Sequence, residues 1–169
     1  MRRIRYSAAL VLAGIILATS SARSAEIKVL DTFKDWTAYV MGTGQSAVCF
    51  ISSVPKKAEG NYTRRGDIIA YVTNRKADNV RGEVSFEAGY TYKKNSTVKL
   101  AIGSQTFELF TSDGNAWARQ GGDVKLVKAM KAGSKMVVRG TSSRGTATKD
   151  TYSLLGFTKA INAINKACS

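Results

Sequence analysis

The sequence predicts a single, mainly β domain, a β-sandwich or flattened barrel, with one short helix and one C-terminal helix. Three observations support this fold class. Apolar residues alternate with period two in most of the structured runs. Only two segments show helical spacing. About 145 residues remain after the N-terminal segment, which is the size of one domain with its own core.

The N-terminal segment has the features of a signal peptide. An arginine-rich start at residues 2–5 precedes an apolar run at 8–18. Ala22-Arg23-Ser24 fits the small-x-small cleavage rule. The apolar run is shorter than the roughly 20 residues that span a bilayer. We therefore expect a cleaved signal peptide at 1–24 and an exported domain at 25–169, the alternative being a retained N-terminal anchor.

Strands are predicted from the alternating pattern along the exported chain. Residues 54–66 hold the only proline and are polar and aperiodic, which predicts a long exposed loop. Residues 97–110 predict a hairpin with a glycine-containing turn. The predicted strands, hairpin included, cover 36–41, 47–53, 68–74, 84–90, 97–110, 134–140 and 146–154.

Two segments predict helices. Val124, Val127 and Met130 recur at helical spacing, with Asp123 as a candidate N-cap and Gly133 as a stop, which predicts a helix at 123–131. A second apolar face predicts a C-terminal helix at 156–167. That face consists of Phe157, Ala160, Ile161, Ile164 and Cys168.

Cys49 and Cys168 are the only cysteines, and an even number in an exported chain predicts a disulfide. Such a bond would tie an early strand to the last turn and close a loop of about 120 residues, for which loop entropy gives roughly 4–5 kcal/mol. Two buried thiols or an intermolecular bridge are the alternatives. The spacing excludes a CxxC redox site.

Catalysis and cofactor binding find little support. The chain has no histidine, so Ser-His and Cys-His pairs and histidine metal ligands are excluded. Residues 42–47 fit a loose dinucleotide fingerprint, but a strand-like run follows where a helix is required. Residues 113–115 predict a turn and not a calcium loop. We expect no catalytic residue, no cofactor and no metal; a hydrolase that pairs Ser142 with a distant lysine is the alternative.

Charge predicts the kind of partner. Lys and Arg number 26 against 12 acidic residues, a net +14, and removal of 1–24 takes four arginines and no acid, which leaves +10. In an exported protein this favours lipopolysaccharide, anionic lipid or acidic glycans, with peripheral membrane association, over nucleic acid. A merely solvated basic surface is the alternative. The candidate anion-binding residues, clustered in predicted loops, are Lys56, Lys57, Arg64, Arg65, Lys93 and Lys94.

The segment 139–148 is dense in hydroxyl groups and holds Arg139 and Arg144. It could present hydroxyl, guanidinium and main-chain donors to an anion. A threonine-rich hairpin explains the same composition, and we favour that interpretation.

An ordered set of motifs extends over about residues 31–168. It comprises Asp35-Trp36, Val48-Cys49-Phe50 before Pro55, Arg65-Gly66-Asp67, Glu83-Val84-Ser85, Gly89-Tyr90, Ala116-Trp117-Ala118, Gly140-Thr141-Ser142, Asp150 to Leu154 and Gly156-Phe157. With the near-terminal Cys168, the set resembles the invasion-associated locus B proteins of alphaproteobacteria. The resemblance implies a periplasmic or outer-membrane-associated protein, linked to host-cell invasion in some members only, and it supplies no activity and no catalytic residues. We therefore expect a non-enzymatic envelope protein that binds an anionic component or a protein partner. The alternative is a surface-exposed invasion or adhesion factor.

Overall fold

The computed structural model describes residues 26–169, so the predicted signal peptide at 1–24 lies outside the described residues. The described chain forms eleven strands and two α-helices, with a short 3₁₀ turn at Gly44–Ser46. The strands are β1 (Ile27–Phe33), β2 (Trp36–Met41), β3 (Val48–Ser53), β4 (Lys57–Gly60), β5 (Ile69–Arg75), β6 (Val80–Glu87), β7 (Thr97–Ile102), β8 (Gln105–Ser112), β9 (Asn115–Ala118), β10 (Lys135–Thr141) and β11 (Ala147–Ser153). The helices are α1 (Gly122–Ala132) and α2 (Phe157–Ala167).

All eleven strands belong to one sheet, in the order β1-β2-β3-β5-β6-β9-β8-β7-β10-β11-β4. Each neighbouring pair is antiparallel. The sheet is not closed, because β1 and β4 form its two edges. The predicted fold class, mainly β with a short helix and a C-terminal helix, is confirmed.

The sheet curves so that its last strands approach its first. The indole Nε1–H of Trp36 in β2 donates to the main-chain oxygen of Ser153 in β11, at 3.0 Å. The rings of Phe86 and Tyr152 meet edge to face with centroids 6.0 Å apart. Every second residue along these strands faces inward, and together the inward-facing residues form one continuous apolar core.

Helix α2 covers one side of this core. Its buried residues Phe157, Ile161 and Ile164 pack against β2 and β3, and Phe157 meets Trp36 edge to face at 5.0 Å. Cys168, at the end of α2, is bonded to Cys49 in β3, with their Cα atoms 6.0 Å apart. The predicted disulfide is confirmed.

Helix α1 differs in detail from its prediction. It begins at Gly122, and Asp123 is not the N-cap: its carboxylate accepts a hydrogen bond from the main-chain N–H of Val84 at 2.8 Å. Burial raises the pKa of Asp123, and that hydrogen bond opposes the shift. The buried residues are Leu126, Ala129 and Met130, whereas Val124 is 75% exposed. The helix is therefore turned relative to the apolar face that the spacing predicted.

Strands β1, β4 and β9 were not predicted. The expected long loop at 54–66 is wrong in part, because β4 lies within it and pairs with β11. Both β1 and β4 are edge strands that expose most of their residues, so neither needs the alternation of apolar side chains by which strands are recognised. Strand β9 has only four residues.

Candidate anion-binding cleft

A polar cleft of about 600 Å³ lies where three segments meet. The segments are the chain after β4, the residues that follow β6, and the turn between β10 and β11. The lining consists of Asn61, Tyr62, Thr63, Arg64, Arg65, Gly89, Tyr90, Thr91, Ser142, Ser143, Arg144, Thr146 and Thr148.

A buried ion pair lies beside the cleft. The guanidinium of Arg65 donates to both carboxylate oxygens of Asp150, at 2.7 and 2.6 Å, and its Nε–H donates to the main-chain oxygen of Ala88 at 2.6 Å. The side chains of Arg65 and Asp150 are only 3% and 6% exposed. This paired geometry is the strong form of an arginine–carboxylate contact, and it neutralises Arg65.

Two tyrosines pack around the same guanidinium. Its central carbon lies 5.5 Å from the ring centre of Tyr62 and 4.9 Å from that of Tyr90. The hydroxyl of Tyr90 is 2.6 Å from that of Thr148. Burial would lower the pKa of Arg65, but the hydrogen bonds and charge of Asp150 outweigh it and raise that pKa. Burial raises the pKa of Tyr90. Arg65 therefore stays cationic and Tyr90 neutral.

Local chain geometry holds the Arg65 loop in place. The main-chain N–H of Gly66 donates to the oxygen of Gly89 at 2.9 Å. Gly89 has a φ of 69°, and a Cβ there would collide with the main-chain oxygen of Gly66, so glycine is required for this close approach. On the opposite side, the period-two alternation of β11 turns Asp150 inward, between Thr148 and Tyr152.

The β10–β11 turn forms the outer wall. The main-chain N–H of Ser142 donates to Thr146 at 2.9 Å, and that of Ser143 donates to the oxygen of Thr91 at 2.8 Å. The Ser142 hydroxyl accepts from the N–H of Thr146. The side chains of Ser143, Arg144 and Thr146 take no part in these bonds and line the cleft. Residues 139–148 are thus a hairpin, as favoured, and its turn also presents donors.

The cleft carries net positive charge. No lining residue is acidic, and Asp150 balances Arg65. None of the ion pairs in residues 26–169 includes Arg64 or Arg144, and both residues are exposed. Two guanidinium groups without a carboxylate partner therefore remain at a site lined by hydroxyl groups. That combination suits an oxyanion, because guanidinium groups bind carboxylate and phosphate oxygens in paired fashion.

The six candidate anion-binding residues do not form one patch. Arg65 is not an exposed loop cation, because its buried guanidinium is paired with Asp150. Lys56 is paired with Asp35 at 2.5 Å, and Lys57 with Glu59 at 2.9 Å.

Of the remaining three, Arg64 alone lines the cleft. Lys93 and Lys94 are exposed on the segment before β7 and lie outside the lining. Sequence reasoning did not choose Arg144, Tyr62 or Tyr90 as site residues. The hydroxyl-rich composition of 139–148 was the available signal for Arg144.

The geometry around Ser142 does not support the hydrolase alternative. Ser142 is 7% exposed, and its hydroxyl accepts a hydrogen bond from the main-chain N–H of Thr146. The lining contains no lysine. Over residues 26–169, no group of three acidic or cysteine side chains is placed to hold a metal ion. No helix in this same range is long and apolar enough to cross a membrane.

Comparison with known proteins identifies one family. Residues 36–165 match the family model described as invasion associated locus B (IalB) protein. No curated protein matches the chain significantly. No solved structure does so either. The match covers most of the chain, and it includes β2 to β11, all three arginines of the cleft and most of α2.

Proposed function

This chain belongs to the invasion associated locus B family, and on that premise we propose that it is an exported, non-enzymatic protein of the cell envelope that binds an anionic component in the cleft. The observation that carries the proposal is the pair Arg64 and Arg144, two cations at a concave site that have no acidic partner within residues 26–169. The basic balance of the whole sequence agrees with it.

Concavity distinguishes these two arginines from cations that lie outside the cleft lining, such as Lys93 and Lys94. Charges on an open surface are screened over roughly 8 Å at physiological salt and contribute little individually. Within a cleft, several donors converge on one ligand and part of its water is displaced, so each contact is stronger. The buried Arg65–Asp150 pair supports the wall without presenting a carboxylate that would repel an anion.

A non-enzymatic function is supported by the absence of histidine from the sequence and by the surroundings of Ser142. General acid–base chemistry near neutral pH needs a group that titrates there. The pKa values of Tyr90 and Arg65 beside the cleft are both raised above ordinary values that already lie well above neutral pH, so neither group titrates there. Binding without turnover is the role that these groups suit.

Export is tested by its own experiment. We expect the protein to be recovered from the periplasm or the outer membrane fraction, with a mature N-terminus near Ala25 after removal of 1–24. Fractionation followed by N-terminal sequencing measures both. Protease accessibility on intact cells separates a periplasmic protein from a surface-exposed invasion or adhesion factor. Full-length protein in the cytoplasm would contradict the proposal.

Binding is tested with the exported domain, residues 25–169. We expect it to bind lipopolysaccharide or vesicles that contain an anionic phospholipid, and to bind neutral vesicles at least tenfold more weakly. Affinity should fall as salt rises from 20 to 300 mM, because screening shortens the range of the charges.

A matched pair of variants localises the binding. R64Q/R144Q removes two positive charges from the cleft, and K93Q/K94Q removes two from exposed positions outside it. We expect the first to lower affinity at least tenfold and the second less than threefold, with unchanged thermal stability for both. Equal losses would show that binding follows total charge, and the cleft would then have no special role.

A further inference from the structure

We propose that the ligand of the cleft is an acidic saccharide of about two sugar rings, held by Arg64 and Arg144 at its acidic groups and by the hydroxyl-bearing lining along its length. The inference rests on the proposed function, because it assumes that an anion binds in this cleft. It adds the chemical class of that anion.

The size of the cleft excludes a small inorganic ion as its full occupant. The volume is about 600 Å³, and a water-sized group takes up about 30 Å³. The cleft therefore has room for roughly twenty such groups, which is enough space for a disaccharide. A phosphate ion would leave most of this space to water.

The lining matches the surface of a sugar better than that of a lipid chain. Thr63, Thr91, Ser143 and Thr146 bring hydroxyl groups, and Asn61 brings an amide. Each hydroxyl can both donate and accept a hydrogen bond, as sugar hydroxyls require. An alkyl chain in the same place would cover these groups without replacing their hydrogen bonds to water, which is unfavourable.

The two tyrosines add apolar surface to a lining that is otherwise mostly polar. Tyr62 and Tyr90 both line the cleft, and both are only partly exposed because they pack around Arg65. Fixed aromatic rings offer apolar contact area at low cost in conformational entropy. The C–H faces of a sugar ring are suited to such surfaces, so the lining complements both the polar edges and the less polar faces of a saccharide.

The positive charge of the cleft favours an acidic saccharide over a neutral one. A neutral sugar would leave the guanidinium groups of Arg64 and Arg144 without an anionic partner within the cleft. A carboxylate or a phosphate on the sugar supplies oxygens that a guanidinium binds in paired geometry. The same acidic saccharide could be part of lipopolysaccharide or of a free glycan, and the experiment separates these sources.

The test uses the disulfide-bonded domain 25–169 and calorimetric titration at 50 mM salt. The probes are digalacturonate, neutral galactobiose, inorganic phosphate, intact lipopolysaccharide and the phosphorylated core oligosaccharide released from it. We expect at least one acidic saccharide to bind tenfold or more tightly than both galactobiose and inorganic phosphate. Equal affinity for the released oligosaccharide and intact lipopolysaccharide would place recognition in the sugar; binding of the intact form alone would overturn the inference.

Two variants distinguish recognition of the sugar hydroxyl groups from recognition of the acidic group. R64Q/R144Q should lower affinity for the acidic saccharide and for phosphate alike. S143A/T146V should lower affinity for the saccharide at least fivefold and leave phosphate binding within twofold, because it removes hydroxyl groups and no charge. If phosphate binds as tightly as every acidic saccharide, and R64Q/R144Q abolishes its binding, the inference fails while the anionic cleft stands. If R64Q/R144Q changes no binding at all, the proposed function fails as well.

Discussion

Replacing Asp150 by asparagine removes the negative charge opposite the buried guanidinium of Arg65. The exchange keeps the size of the side chain, so the loss is mainly electrostatic. Both side chains are almost fully enclosed, and Arg65 cannot become neutral because arginine stays protonated. Breaking a buried pair by removing one partner costs about 3–5 kcal/mol, and we expect D150N to fall in that range.

The assay is urea unfolding followed by circular dichroism, with the Cys49–Cys168 disulfide intact. With an m value of about 2 kcal/mol per M for a chain of this size, the midpoint should fall by about 1.5–2.5 M. R75Q is the matched control. It breaks contacts of 2.7 and 3.0 Å to Glu83 and Asp78 on a partly exposed side chain, and it should cost less than about 1 kcal/mol.

A double-mutant cycle completes the experiment. R65M/D150L removes both charges, so its destabilisation should be smaller than the added effects of R65M and D150L alone. Some loss remains in the double variant, since Arg65 also donates to the oxygen of Ala88. A midpoint for D150N within 0.5 M of that for R75Q would refute the conclusion that Arg65 and Asp150 form a desolvated pair.

Three further predictions concern stability. C49A/C168A should lower the free energy of unfolding by up to about 4–5 kcal/mol, because the bond closes a loop spanning 119 residues; urea midpoints measure this, and free thiols in denatured, periplasm-expressed wild-type protein would contradict the bond. Burial raises the pKa values of Tyr92 and Tyr152, whereas unfolded tyrosine ionises near pH 10. The stability that these two tyrosines contribute should therefore be fully present below about pH 10, and the free energy of unfolding should fall above that pH by up to about 1.4 kcal/mol per pH unit per tyrosine. The Y152F variant tests this between pH 9 and 11.5. If its urea midpoint declines as steeply as that of the wild type, Tyr152 makes no such contribution. G89A should destabilise the domain by at least about 1–2 kcal/mol and weaken ligand binding, whereas unchanged urea midpoints and unchanged affinity would show that the loop accommodates a Cβ.

Much of the fold could be predicted from local pattern. Strands such as β7 and β8 follow from alternation in a run with a glycine turn, because half-buried strands expose every second residue. The disulfide could be predicted because the chain has only two cysteines. The motifs also identified the family, which the match over 36–165 confirms.

Elements without a buried face were not predicted from the sequence. Strand β4 is held by its hydrogen bonds to β11, and its own side chains mostly point into solvent. Its sequence contains Lys57, which suits an exposed edge and equally suits a loop. Pairing with a strand some ninety residues later is a property of the whole sheet, and no local pattern records it.

At the site, Arg64 and Arg65 show the same difference between what the local sequence predicts and what the tertiary structure decides. The sequence determines two adjacent arginines, a basic chain without histidine, and a hydroxyl-rich segment at 139–148. Only the tertiary structure decides that Arg65 is buried against Asp150, 85 residues away, while Arg64 faces the cleft beside the turn that carries Arg144. The reason is that the chemistry of a charge depends on its solvation and on its nearest opposite charge, and both are set by contacts between segments that are distant in the chain.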